Sequence, residues 1–84
     1  MNGGVMVFTM DGCPYCDKAK SLLTERGVAY QEVRIAEEDD AKWEELYQKS
    51  RMRTMPQIFA GERLIGGYSD LAKLDEQDQL TSLK

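Results

Sequence analysis

The sequence predicts an α/β fold, a four-stranded mixed sheet flanked by three helices in the order β-α-β-α-β-β-α. Three observations carry this. Val5-Met6-Val7-Phe8-Thr9 is apolar on both alternating faces, as a central strand covered on each side must be. Apolar residues then recur at helical spacing between this strand and a second one, which makes a parallel β-α-β unit. Finally, Met55 to Ile65, interrupted at Gly61-Glu62, reads as a hairpin that adds two antiparallel strands.

Each element has its own local signature. The first helix is predicted over Pro14 to Arg26, with Tyr15, Cys16, Ala19, Leu22 and Leu23 at helical spacing. Pro14 is tolerated in a first helical turn and Gly27 is placed to end the helix, so Cys13 falls at or beside the N-cap. The second strand fits Ala29 to Ile35. The acidic run Glu37-Glu38-Asp39-Asp40 then suits the positive end of a second helix that carries Trp43, Leu46 and Tyr47 on one face. Arg51-Met52-Arg53-Thr54 is basic and irregular, the hairpin follows, and Gly66-Gly67 closes it. Ser69 or Asp70 is expected to cap a short last helix with Leu71 and Leu74 inward, and a polar tail is expected from Glu76 onward.

The whole chain narrows the function. Its 84 residues, 42% hydrophobic, suit one domain over 1–84 with one modest core. Eleven Lys+Arg against 15 Asp+Glu leave a net charge of −4, which disfavours nucleic acid and anionic membranes. No apolar run reaches the roughly 18 residues of a membrane-spanning helix, and Met1-Asn2-Gly3-Gly4 lacks the basic region of a secretory signal, so a cytoplasmic monomer is expected. Two cysteines separated by two residues close too small a loop to staple a fold, and a cytosol would keep them reduced. Their use is therefore chemical. With no His and no third Cys, four zinc ligands of the usual kind cannot be assembled, and no metal is expected.

A C-x-x-C that follows a strand and opens a helix divides labour between its sulfurs. Cys13 would face unpaired backbone N–H groups and the positive helix end, both of which favour thiolate, while Cys16 is screened behind it. Cys13 is thus the expected nucleophile and Cys16 the resolving thiol. A fall in thiol pKa from about 8.5 to about 5 would raise the thiolate fraction at pH 7 about thirtyfold. A Brønsted slope of about 0.4–0.5 cancels that gain in attack, so the benefit lies in Cys13 as a leaving group. Lys18 and Lys20 read as solvated helix charges, with support of the Cys13 thiolate the alternative for Lys18, which lies near the motif.

Cys13-Pro14-Tyr15-Cys16, Thr54-Met55-Pro56-Gln57-Ile58-Phe59 and Gly66-Gly67-Tyr68-Ser69-Asp70 together resemble the three signature segments of dithiol glutaredoxins, in order and spacing over nearly the whole chain. The resemblance implies a thioredoxin-like fold and a glutathione-dependent thiol–disulfide oxidoreductase, with glutathione as co-substrate. It implies a cis bond before Pro56, with the Met55 backbone offered to an extended thiol substrate. Thr54, Gly67 and Tyr68 belong to the same binding segments. Ser69 and Asp70 would hold the γ-glutamyl end of glutathione, helix capping being their plainer role. Tyr15 either lines the thiol groove or packs, and Gly66 and Gly67 either admit close backbone approach or form a simple turn.

The chain departs from the family pattern at Met10, where many glutaredoxins carry a lysine that meets the glycyl carboxylate of glutathione and the thiolate. Arg53, with Arg51 and Lys42 behind it, is the expected substitute because guanidinium grips carboxylates bidentately. The implied partners are glutathione and disulfide-bonded or glutathionylated proteins, with ribonucleotide reductase a family-level client. Two other readings compete: an electron donor fed by thioredoxin reductase, motivated by Met10, and an iron–sulfur carrier bridging two chains, which Pro14 and Cys16 disfavour.

Overall fold

The computed structural model describes residues 4–80. The observed elements are β1 (Val5–Thr9), α1 (Pro14–Glu25), β2 (Tyr30–Arg34), α2 (Asp40–Ser50), β3 (Gln57–Ala60), β4 (Arg63–Gly66) and α3 (Tyr68–Glu76). They form a single four-stranded sheet in the order β2-β1-β3-β4. As its two-faced apolar pattern requires, β1 lies inside the sheet. It runs parallel to β2, with Thr9 opposite Arg34, and antiparallel to β3, with Val5 opposite Ala60. The β3–β4 hairpin carries a register irregularity between Ile58 and Phe59.

Alternation along β1 sends its side chains into two cores. Val5 and Val7 join Ala19, Leu23, Val28, Ile58, Leu71 and Leu80 on one face. On the other, Phe8 and Trp43 pack against Ile35, Leu46 and Phe59, and the Phe8 and Phe59 rings meet edge to face at 5.7 Å. Each fully buried aliphatic side chain contributes roughly 1.5–3 kcal/mol.

Helix α1 ends as Gly27 predicts. Gly27, at φ +71°, donates its N–H to Thr24 O at 3.1 Å, and Val28 donates to Leu23 O at 2.9 Å. This paired closure satisfies the last carbonyls and packs Val28 against the helix. Arg26, expected in the helix, is its C-cap. At the start of α2, Asp39 is the cap and accepts the Lys42 N–H at 3.3 Å, so the acidic run does begin a helix.

Two expectations about the last helix are corrected. Its N-cap is Gly67, and neither Ser69 nor Asp70; Asp70 occupies the third helical position and reaches back to accept the Gly67 N–H at 3.0 Å. Nor does the chain become a polar tail after Glu76, because Leu80 is 1% exposed and completes the first core. Residues 81–84, the rest of that expected tail, and residues 1–3 of the N-terminal segment lie outside the described residues. Among the described residues no helix is long and apolar enough to cross a membrane.

Candidate active site

Strand β1 delivers the chain to Cys13, which caps α1 in an extended conformation (φ −109°, ψ 99°). Its sulfur accepts the Cys16 N–H at 3.2 Å, and its carbonyl accepts from Cys16 and Asp17 at 3.1 and 3.3 Å. Both interactions place Cys13 where first-turn N–H groups and the helix dipole favour an anion. Cys13 and Cys16 are joined as a disulfide with Cα atoms 5.2 Å apart. Cys13 is half-buried and Cys16 only 2% exposed, so the outer sulfur is the one an incoming thiol can reach.

On one side of the motif a groove of about 510 Å³ is lined by Tyr15, Met52, Thr54, Met55, Pro56, Gly67, Tyr68, Ser69 and Asp70. Of the residues expected to bind glutathione, all except Arg53 and the two cations behind it, Arg51 and Lys42, share this one wall. The Met55–Pro56 bond is cis, as expected. Tyr15 is 57% exposed, with its ring 5.9 Å from that of Tyr68, so it forms groove wall and is not core packing.

Gly66 holds the corner beside that groove. At φ +125° it occupies backbone space that side-chain-bearing residues rarely enter, and a Cβ there would collide with the Asp70 carboxylate. The close approach expected of the glycine pair is thus made at Gly66 by a side chain from α3. The preceding loop is fixed from beneath by fully buried Gln57, whose Nε2 donates to Met52 O and Thr54 O at 3.1 and 3.0 Å. Sequence reading included Gln57 in a signature segment without giving it this task, because its partners are irregular backbone.

The two cations expected near the site both lie over aromatic rings. Lys18 sets its ammonium 5.1 Å from the centre of the Tyr15 ring, three residues back on the helix. The Arg53 guanidinium lies 4.0 Å from the centre of the Tyr47 ring, adjacent to the groove through Thr54 but not in its wall. Arg51 lies over the same ring at 5.5 Å.

A second hollow, of about 320 Å³, opens on the other side of the motif, and Cys13, Cys16, Thr9, Lys20, Glu32 and Arg34 are among its lining residues. Glu32 accepts from Thr9 Oγ1 at 2.7 Å and from Lys20 Nζ at 3.1 Å. The Thr9 hydroxyl, followed by the Lys20 ammonium, holds the Glu32 carboxyl below its ordinary range. In turn the hydrogen bond to Glu32 raises Lys20 above the usual lysine range, so the pair stays charged at neutral pH. Glu32 and Thr9 were not singled out from sequence, and Lys20, expected as a solvated helix charge, is instead partly buried against Glu32. Only the packing of β2 beside β1 under α1 brings them together. Among the described residues no group of three or more His, Cys, Asp or Glu is arranged to hold a metal ion.

Comparison with known proteins agrees with this geometry. Residues 5–65 match the glutaredoxin family profile. Glutaredoxin 3 of Escherichia coli K12 is 43% identical over 79 residues, covering 94% of each chain. Glutaredoxin 1 of Rickettsia bellii is 39% identical over 82 residues, covering 94% of this chain and 84% of its own. Among solved structures, a buckwheat glutaredoxin–glutathione complex superposes with a TM-score of 0.87 at 29% identity, over 96% of this chain and 76% of that one. The sheet and helices accordingly form a thioredoxin-like fold.

Proposed function

The chain belongs to the glutaredoxin family and its cysteine pair makes it a thiol–disulfide oxidoreductase, and from that premise we propose that its reductant is glutathione and that Cys13 is the nucleophile. The observation that carries this reading is the groove in which Tyr15, Thr54, Met55, Pro56, Gly67, Tyr68, Ser69 and Asp70 converge beside the motif. The buckwheat structure that superposes on this chain is a glutathione complex, which supports the same ligand.

The groove suits a γ-glutamyl tripeptide. The first-turn N–H groups of α3 have no partner within the helix and carry its positive end, which fits the γ-glutamyl carboxylate. Asp70 uses Oδ2 on Gly67, and its carboxylate keeps acceptor capacity for the ammonium. The Met55 backbone, beside the cis bond to Pro56, offers an N–H and a C=O to the cysteinyl unit. Arg53, over the Tyr47 ring and next in sequence to the groove residue Thr54, is the candidate for the glycyl carboxylate.

Turnover then follows from the sulfurs. The Cys13 thiolate attacks the glutathione sulfur of a mixed disulfide, a bond to glutathione forms, and the target protein leaves as a thiolate. A second glutathione thiolate attacks the bound glutathione sulfur, releasing glutathione disulfide and restoring the Cys13 thiolate. Cys16 enters only when both electrons must reach a protein disulfide. Such a cycle needs a pool of reduced thiol, which places the protein in a reducing compartment such as the cytoplasm.

Cys13→Ser is expected to abolish reduction of glutathione mixed disulfides, while Cys16→Ser keeps it. Persistent turnover in Cys13→Ser would end this reading. Arg53→Ala is expected to raise the KM for glutathione severalfold with little change in kcat. Met10, in place of the lysine usual in the family, favours one competitor, a donor reduced by thioredoxin reductase. Assays coupled in turn to glutathione with glutathione reductase and to thioredoxin reductase separate the two.

A further inference from the structure

The proposed cycle leaves one requirement unmet by the groove. To resolve a mixed disulfide on Cys13, Cys16 must become a thiolate, yet it is 2% exposed, where loss of hydration favours the neutral thiol. A charged cluster lies on the other side of the motif. Lys20 follows Cys16 by four residues on α1, on the same face, and both line this hollow. Its ammonium is held by Glu32 at 3.1 Å and Asp17 at 3.7 Å, and Glu32 is held by Thr9. Lys20 and Glu32 keep 23% and 28% of their side-chain exposure, so water and salt screen this pair less than a surface pair. The other charges at the hollow, Asp11 and Arg34, pair with each other at 3.2 Å near its exposed rim.

We propose that Lys20, anchored by Glu32 and Thr9, is a positioning residue that sets the protonation of Cys16 and with it the rate of the resolving step. This rests on the dithiol cycle above. In that step the Cys16 thiolate attacks the Cys13 sulfur, the Cys13–Cys16 bond forms and the Cys13–substrate bond breaks. The substrate sulfur leaves as a thiolate, and the proton that Cys16 gave to solvent is available to it. An ammonium beside Cys16 favours the anion, and a carboxylate beside it opposes the anion. Lys20 and Glu32 therefore act on Cys16 with opposite signs, whereas an ion pair that merely braced α1 against β2 would give the same loss from either side.

The chain has two cysteines, so in full-length Cys13→Ser protein Cys16 is the sole thiol and its thiolate can be titrated by ultraviolet absorbance. Below the titration midpoint, Lys20→Met is expected to lower the thiolate fraction at fixed pH about tenfold. Lys20→Arg, which keeps the charge, should stay within about threefold of the parent, and Glu32→Gln should raise the fraction. With Cys13 intact and loaded with glutathione, Lys20→Met should slow glutathione release by Cys16 about tenfold. Shifts of one sign for Lys20→Met and Glu32→Gln, or no shift in either, overturn the proposal. If Lys20→Met does not fold, Glu32→Gln decides, because a raised thiolate fraction upholds the proposal and an unchanged or lowered one overturns it. The titration contains no glutathione, so its outcome is independent of which reductant serves the enzyme.

Discussion

At the residue scale, the site depends on groups that make room as much as on groups that react. Gly66 combines a φ of +125° with a Cβ direction that points into the Asp70 carboxylate. Gly66→Ala therefore meets both backbone strain and a clash, and is expected to cost about 1–3 kcal/mol. Because Asp70 must leave the Gly67 N–H to relieve the clash, the KM for glutathione should rise as well. Urea unfolding and initial rates on the one variant test both effects, and a stability equal to the parent's would contradict the strain argument. The cysteines were legible from their types, since few other roles suit a C-x-x-C at a helix start, whereas the cis bond before Pro56 followed from the family resemblance. Gly66 was legible only as a residue allowing close approach, because the group approaching it comes from the next helix.

At the element scale, helix ends that are closed by their own residues could be read and those closed from elsewhere could not. Gly27 announces the end of α1, and Asp39 the start of α2, since each acts on backbone within a few residues. The start of α3 was misread because an aspartate at the third helical position looks, in sequence, like a cap. The joint between α1 and α3 was equally hidden: Arg26 grips Asp75 through Nε at 2.6 Å and Nη2 at 3.0 Å across 49 residues. The hydrogen bond from Arg26 holds the Asp75 carboxyl below its ordinary range. A depressed carboxyl contributes stability above its unfolded pKa and loses it as pH falls through the folded one. Asp75→Asn should thus melt slightly below the parent at neutral pH, and the two curves should converge in strong acid. Because the pair is solvent-exposed, added salt should also narrow the gap. Thermal melts of both proteins across that pH range check the sign, and a gap that widened in acid would refute it.

At the scale of the whole molecule, a mixed four-stranded sheet with β1 inside it was legible because β1 is apolar on both faces and the hairpin follows a β-α-β unit. The hollow behind Cys16 was not legible, since Thr9, Lys20 and Glu32 become neighbours only once β2 lies beside β1 under α1. The same architecture determines what the disulfide does for stability. The two cysteines are only 3 positions apart, so closing that loop removes little freedom from the unfolded chain, about 2 kcal/mol in the chain-entropy estimate. By contrast, the core formed by Val5, Val7, Leu23, Ile58, Leu71 and Leu80 joins β1, α1, β3 and the segment from α3 onward without help from either sulfur. Truncating one such residue, as in Leu71→Ala, should cost about 2–5 kcal/mol. Full reduction with dithiothreitol is therefore expected to leave the chain folded and to move its urea midpoint less than Leu71→Ala does. An enzyme that passes between dithiol and disulfide when it reduces a protein disulfide needs that independence, because that route opens and closes the bond while the groove must keep its shape. Loss of the sheet and helix signal on reduction would show that the disulfide holds the fold, and the division between a stable core and a labile sulfur pair would fail with it.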